Sequence, residues 1–162
     1  MARALIVGCG CRGRALGAAL VEGGWAVRGT AREQGALAAI EAAGIEPALA
    51  DPDRPGSVLE LVADVAVLWW LLGSAAGEPE TVTALHGPRL EALLERLVDT
   101  PVRGFVYEAA GTAPRADLER GGRAAADAAR RWRIPVEVVA ADPAGHKQWL
   151  EQMLAASRRL LG

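Results

Sequence analysis

The stretch Ala4-Leu5-Ile6-Val7-Gly8-Cys9-Gly10-Cys11-Arg12-Gly13 decides how the whole chain reads. Four apolar residues in a row make a short strand that is buried on both faces. Three glycines at G-x-G-x-x-G spacing follow, and a helical pattern with Leu16, Ala19 and Leu20 runs from Arg14 to Glu22. Gly8 permits the tight turn out of the strand. Gly10 leaves the backbone open to a ligand, and Gly13 lets the helix lie close to the sheet, a small face that Gly17 continues. The start of that helix presents free N–H groups and a partial positive charge, which suits phosphate. A glycine turn that binds nothing is the alternative reading. The strand before the loop and a second strand at the expected distance favour a ligand.

Outward from this loop, apolar runs alternate with helical patterns. Trp25–Gly29 is predicted as the second strand, and Glu33 to Ala43 as a helix with Leu37 and Ile40 on one face, stopped by Gly44. Ile45–Ala50 is the third strand, and residues 51–56 form a turn. Ser57 then opens a short helix with Glu60 three residues later, the pattern of a capping box. Val65 to Leu72 is apolar on both faces, as a central parallel strand should be. Trp69 and Trp70 within it face opposite sides of the sheet, as core residues, as a wall near a ligand or as an oligomer face. Pro79 to Val98 reads as one helix or as two split at Gly87-Pro88, which makes His86 a helix-break residue. Val102–Ala109 is the fifth strand. Arg115 to Trp132 is a helix that Gly121-Gly122 breaks or kinks. Ile134–Ala141 is the sixth strand, and Lys147 to Leu161 is a final helix with an apolar stripe of Trp149, Leu150, Met153, Leu154 and Leu160. This alternation predicts an α/β fold: a doubly wound parallel sheet of the Rossmann type, three layers deep, with strand order 3-2-1-4-5-6 and residues 1–162 as a single NAD(P)-binding domain.

Composition narrows the function. The chain has 162 residues, with 18 basic and 20 acidic side chains and a net charge of −2. That length suits one domain burying about 68–70% of its unfolded surface. Nearly all the positive charge is arginine and none forms a basic arm, so nucleic acid is not an expected partner. The apolar start is cut short by the glycine loop with Arg12 and Arg14, too soon for a signal peptide, and the run from Val65 to Gly77 is too short to span a bilayer. A cytoplasmic location is the expectation. Cys9 and Cys11 make neither a disulfide framework nor a four-ligand zinc site, so no metal is expected.

The end of the second strand selects the cofactor. An NAD site carries an acid there for the ribose 2′-OH. This chain reads Arg28-Gly29-Thr30-Ala31-Arg32-Glu33, with Ala31 where the acid belongs. Arg32 can fork onto a 2′-phosphate, Thr30 can donate a hydroxyl, and Arg12 adds a second charge. NADP is therefore expected over NAD, with Glu33 arguing the other way if the register shifts by one. Cys11, at the loop, belongs to the same candidate set. Asp51 can accept from the adenine amino group or simply hold its turn before Pro52. Ser74, after the fourth strand, is placed to bond a ribose.

The segments 4–13 and 24–32 resemble the N-terminus of atypical, extended short-chain dehydrogenase/reductase proteins of the nucleotide-sugar epimerase-like type. Segments 50–53, 102–107 and 134–139 are similar to the family's third, fifth and sixth strand regions. The resemblance implies a tyrosine general acid/base with a lysine four residues later, a serine at the end of the fifth strand and often an asparagine. This chain departs from each. Its one tyrosine, Tyr107, and its one lysine, Lys147, lie 40 positions apart, Ala109 and Ala110 stand where serines are usual, and asparagine is absent. It also ends one helix beyond the sixth strand, which the resemblance reads as truncation before a substrate domain.

The polar groups left at the ends of strands 4 to 6 are Ser74, Glu108, Thr112, Asp142, His146 and Lys147. Histidine is the usual proton carrier near neutral pH, so His146 leads as a catalytic candidate, with Asp142 and Lys147 beside it to tune it. The alternative is that Asp142 caps the last helix and His146 is a surface residue. Three functional readings stay open: an NADP-binding protein without the standard catalytic set, an active NADP-dependent oxidoreductase or epimerase using other residues, and a ligand-free interaction scaffold. A homo-oligomer is compatible with all three.

Overall fold

The computed structural model describes residues 2–162. Its strands are β1 (Arg3–Val7), β2 (Ala26–Ala31), β3 (Glu46–Leu49), β4 (Val67–Trp70), β5 (Gly104–Glu108) and β6 (Val136–Val139). Its helices are α1 (Cys11–Glu22), α2 (Leu37–Ala42), α3 (Pro55–Leu59), α4 (Pro79–Leu85), α5 (Pro88–Leu97), α6 (Arg115–Trp132) and α7 (His146–Leu161). The strands form one sheet in the order β3-β2-β1-β4-β5-β6, and every neighbouring pair is parallel. The chain winds outward from β1 to β3, then returns to place β4 on the other side of β1. That reversal opens a crevice at the carboxyl ends of β1 and β4.

Burial on both faces explains the apolar strands. Every residue of β4 and β5 is buried. Leu68 and Trp70 point to one face, with Leu90, Leu93, Leu94 and Leu97 of α5 and Ala125 and Ala128 of α6. Val67 and Trp69 point to the other, with Leu16 and Leu20 of α1, Ile40 of α2 and Trp149 and Met153 of α7. The opposed tryptophans expected in β4 are thus both core residues. A buried tryptophan removes about 150–250 Å² from water, which at about 25 cal/mol per Å² favours folding by roughly 4–6 kcal/mol. Trp69, Trp70 and Trp149 are all fully buried and so offset the scarcity of other aromatics.

Three local features differ from the periodicity reading. Helix α1 starts at Cys11, inside the glycine loop, because Gly10 is its N-cap and the Arg14 N–H already bonds the Gly10 carbonyl at 2.8 Å. Helix α3 starts at Pro55, whose fixed φ suits a first turn. The Ser57–Glu60 capping box is therefore not formed. Ser57 Oγ instead accepts the Asp51 N–H at 3.0 Å, and the carbonyls of Asp51 and Arg54 both lie 2.8 Å from it. Finally, α6 runs unbroken through Gly121-Gly122. Gly121 lies under the phenol of Tyr107, which any Cβ there would overlap.

Candidate functional site at the switch point

The glycine loop is pressed against the end of β4. Gly8 has φ +85°, and a Cβ on it would overlap the Leu71 carbonyl oxygen. Only glycine combines that left-handed conformation with that approach. The Cys9 N–H holds the loop to the end of β2 by donating to the Thr30 carbonyl at 3.1 Å. Gly10 is the opposite case, since a Cβ there would meet no atom within 4 Å. The N–H groups of Cys11, Arg12 and Gly13 precede the first intrahelical bond of α1, so they are donors that the helix itself does not use.

This loop floors a cavity of about 410 Å³. On the β2–β3 side the lining is Thr30, Ala31, Arg32, Ala36, Ala50 and Pro52. On the β4–β5 side it is Leu71, Leu72, Ser74, Ala75, Ala76, Leu85, Glu108 and Trp149. Of the sequence-derived cofactor set, Gly8, Gly10, Cys11, Arg12, Gly13, Thr30, Arg32 and Ser74 come together here. Asp51 does not line the cavity. Its Oδ1 accepts the Asp53 N–H at 3.0 Å, which is the turn-holding alternative. Glu33 is also outside the lining, and Arg14 is inside it. The cavity therefore carries three guanidinium groups, Arg12, Arg14 and Arg32, against a single acid, Glu108. Cys9 is buried, and burial pushes its thiol up to about 12, so it packs as an apolar group.

Two loops meet above the carboxyl ends of β4 and β5. Cβ atoms on Gly73 or Gly111 would overlap the carbonyl oxygens of Ala110 and Gly73 respectively. The Ala113 N–H donates to the Gly73 carbonyl at 2.9 Å, and the Thr112 N–H donates to Ser74 Oγ at 3.3 Å. Glu108 ends β5 beneath this crossing and is 3% exposed. Its Oε1 accepts the Gly73 N–H at 2.9 Å and its Oε2 accepts the Trp149 indole N–H at 2.8 Å. Burial holds its pKa above the usual carboxylate value, and the two donors and the Arg12 charge oppose that only in part. Asp142, His146 and Lys147 occupy the exposed turn and first residues of α7 and are not in the lining. Asp142 Oδ1 accepts the Ala144 N–H at 2.9 Å.

Behind the β4–β5 wall lies a buried pair that the linear pattern does not show. His86, at the end of α4, is fully buried, with Nδ1 at 2.6 Å from the Tyr107 hydroxyl and Nε2 at 3.0 Å from the Leu72 carbonyl. The carbonyl can only accept, so Nε2 carries the hydrogen and Nδ1 accepts from the phenol. Burial lowers the His86 pKa and raises that of Tyr107. Both are neutral structural groups at neutral pH, and Leu72 connects them to the cavity wall.

With this geometry in hand, similarity to known proteins is informative about the fold. The UDP-glucuronic acid 4-epimerase of Bacillus cereus, solved in complex with NAD, superposes with a TM-score of 0.68 at 15% identity, over 84% of this chain and 54% of that one. A short-chain dehydrogenase from Streptomyces avermitilis gives 0.63 at 22% identity, over 85% of this chain and 63% of that one. The serine dehydrogenase of Escherichia coli gives 0.66 at 18% identity, over 84% and 79%. The chain shares the Rossmann fold of these structures. It spans about half the length of the epimerases it matches. No protein-family model matches the chain, and the curated proteins give no match either.

Proposed function

We propose that residues 1–162 form a dinucleotide-binding unit that takes NADP(H) in preference to NAD(H). The observation that carries this reading is the charge of the cavity around the glycine loop. Arg12, Arg14 and Arg32 line it, and no acid does on the β2–β3 side. An NAD-type ribose needs a carboxylate to receive its 2′-OH. A 2′-phosphate needs guanidinium groups, and Arg32 stands at the end of β2 to meet it. The pyrophosphate fits the open side of Gly10 and the unused N–H groups of Cys11, Arg12 and Gly13. Thr30 is 2% exposed and fixes the strand end through its carbonyl bond to Cys9.

When bound, the nicotinamide supplies hydride transfer. This chain's own residues bind and orient it, and the exposed Asp142, His146 and Lys147 stand outside the cavity. The sole tyrosine is committed to His86 inside the core. Binding without the standard reductase chemistry is thus the better-supported form of this reading.

Calorimetric titration with NADPH and NADH tests it. NADPH is expected to bind the more tightly. Removing the charged contact of Arg32 in Arg32→Ala should weaken NADPH by about 1.5–3 kcal/mol, which is roughly 10- to 150-fold, and leave NADH almost unchanged. Absence of binding for both nucleotides at millimolar concentration would sink the proposal.

A further inference from the structure

We infer that Glu108 is a ligand-contacting residue, the acceptor for the hydroxyl groups of the second ribose, on the nicotinamide side of the cavity. The inference rests on the dinucleotide reading above and assigns its other half. A dinucleotide centred on the glycine loop reaches β2–β3 with one nucleoside and crosses the switch point to β4–β5 with the other. On that second side the lining is apolar apart from Ser74 and Glu108. Ser74 Oγ already takes the Thr112 N–H. Glu108 is the only acid anywhere in the cavity.

The carboxylate is also unusually well fixed. Each oxygen receives one N–H, from Gly73 and from Trp149, and each keeps a further lone pair. Neither bonded partner can accept a hydrogen bond, so each oxygen is held as an acceptor. The remaining lone pairs suit a ligand that brings donors, and a ribose diol brings two O–H groups side by side. The Arg12 guanidinium, at the central loop, lines the same cavity and is the charge that acts on this carboxylate. A residue kept only to join β5 to α7 would have no need to face the cavity as its sole acid.

The competing account is that Glu108 is purely structural, so the test must separate contact from scaffolding. Affinities of the full chain are measured for NADPH, for 2′-phospho-ADP-ribose, which keeps the second ribose but lacks nicotinamide, and for 2′-phospho-ADP, which keeps the pyrophosphate but lacks both. Glu108→Gln is expected to weaken the first two roughly tenfold or more and 2′-phospho-ADP by less than about twofold. Trp149→Phe, which removes one of the two N–H donors but keeps the carboxylate, should weaken NADPH and 2′-phospho-ADP-ribose by less than Glu108→Gln does and leave 2′-phospho-ADP almost unchanged. A uniform loss for all three ligands in Glu108→Gln, or no loss, overturns the inference. Should that variant not fold, the wild-type chain decides. Equal affinity for 2′-phospho-ADP-ribose and 2′-phospho-ADP means the second ribose gains no contact, which overturns it, and a clear advantage for the former supports it. If neither NADPH nor 2′-phospho-ADP binds the wild type, the dinucleotide reading itself falls and Glu108 falls with it.

Discussion

His86 shows how a single buried residue sets a measurable property of the fold. It is neutral in the core, and burial holds its pKa below the ordinary histidine value of 6.5. The Leu72 carbonyl pulls the other way, as does Asp117, which accepts from Thr83 Oγ1 at 3.1 Å. In the unfolded chain the same imidazole takes up a proton below about pH 6.5, so the unfolded state then binds more protons than the folded one. The stabilisation is complete above that pH and declines as pH falls, by at most about 1.4 kcal/mol per pH unit until the folded pKa is reached. The expected result is a drop in the urea midpoint between about pH 7 and pH 5.5, before most carboxylates titrate. His86→Gln, whose amide can donate to Leu72 and accept from Tyr107, should lose that drop. Glu108 titrates in both proteins, so the difference between them isolates His86. Parallel pH profiles would contradict the assignment.

At the scale of one element, α6 offers an internal control. Gly121 and Gly122 are adjacent in mid-helix, where glycine costs about 0.5–1 kcal/mol relative to alanine. A Cβ on Gly122 would make ordinary contact with Val138 Cγ1 at 3.7 Å, whereas one on Gly121 would overlap the Tyr107 phenol. Gly122→Ala should therefore raise stability by about 0.5–1 kcal/mol. Gly121→Ala should lower it by about 1–3 kcal/mol, because it pushes Tyr107 off His86. Thermal or urea unfolding of the two variants reads both signs. The same pair explains what the sequence conceals. Helical periodicity locates α6, and two glycines look like a break, because propensity is local. The reason for Gly121 is a phenol on β5, outside any helical window. The glycine loop is legible for the converse reason: its strand, turn and helix are contiguous, and the carboxyl ends of the alternating strands follow from them. Glu108 reads as one of several polar groups because its two donors are 35 and 41 positions away. Asp51 and His146 illustrate the same limit, since strand-end position alone does not say whether a side chain turns into the cavity or into its own loop.

At the scale of the whole molecule, the sheet consists of two halves that meet between β1 and β4, and the cavity lies across that seam. A ligand touching both halves should leave a two-part footprint in amide hydrogen exchange. On the first half, the amides of Cys11, Arg12 and Gly13 have no partner within α1 and are expected to exchange faster in the free chain than those of the helix interior. On the second, the segment from Gly73 to Ala76 is held by a few loop bonds rather than by a strand ladder. A ligand at 100 times its Kd stabilises the bound state by about 2.7 kcal/mol, which slows exchange through local opening by up to roughly 100-fold. NADPH should protect both segments. The shorter 2′-phospho-ADP should protect residues 11–13 together with the end of β2, and leave residues 73–76 exchanging as in the free chain. Protection by NADPH confined to the first segment would place the second nucleoside outside the cavity, and equal footprints for the two ligands would remove the argument that the seam is bridged.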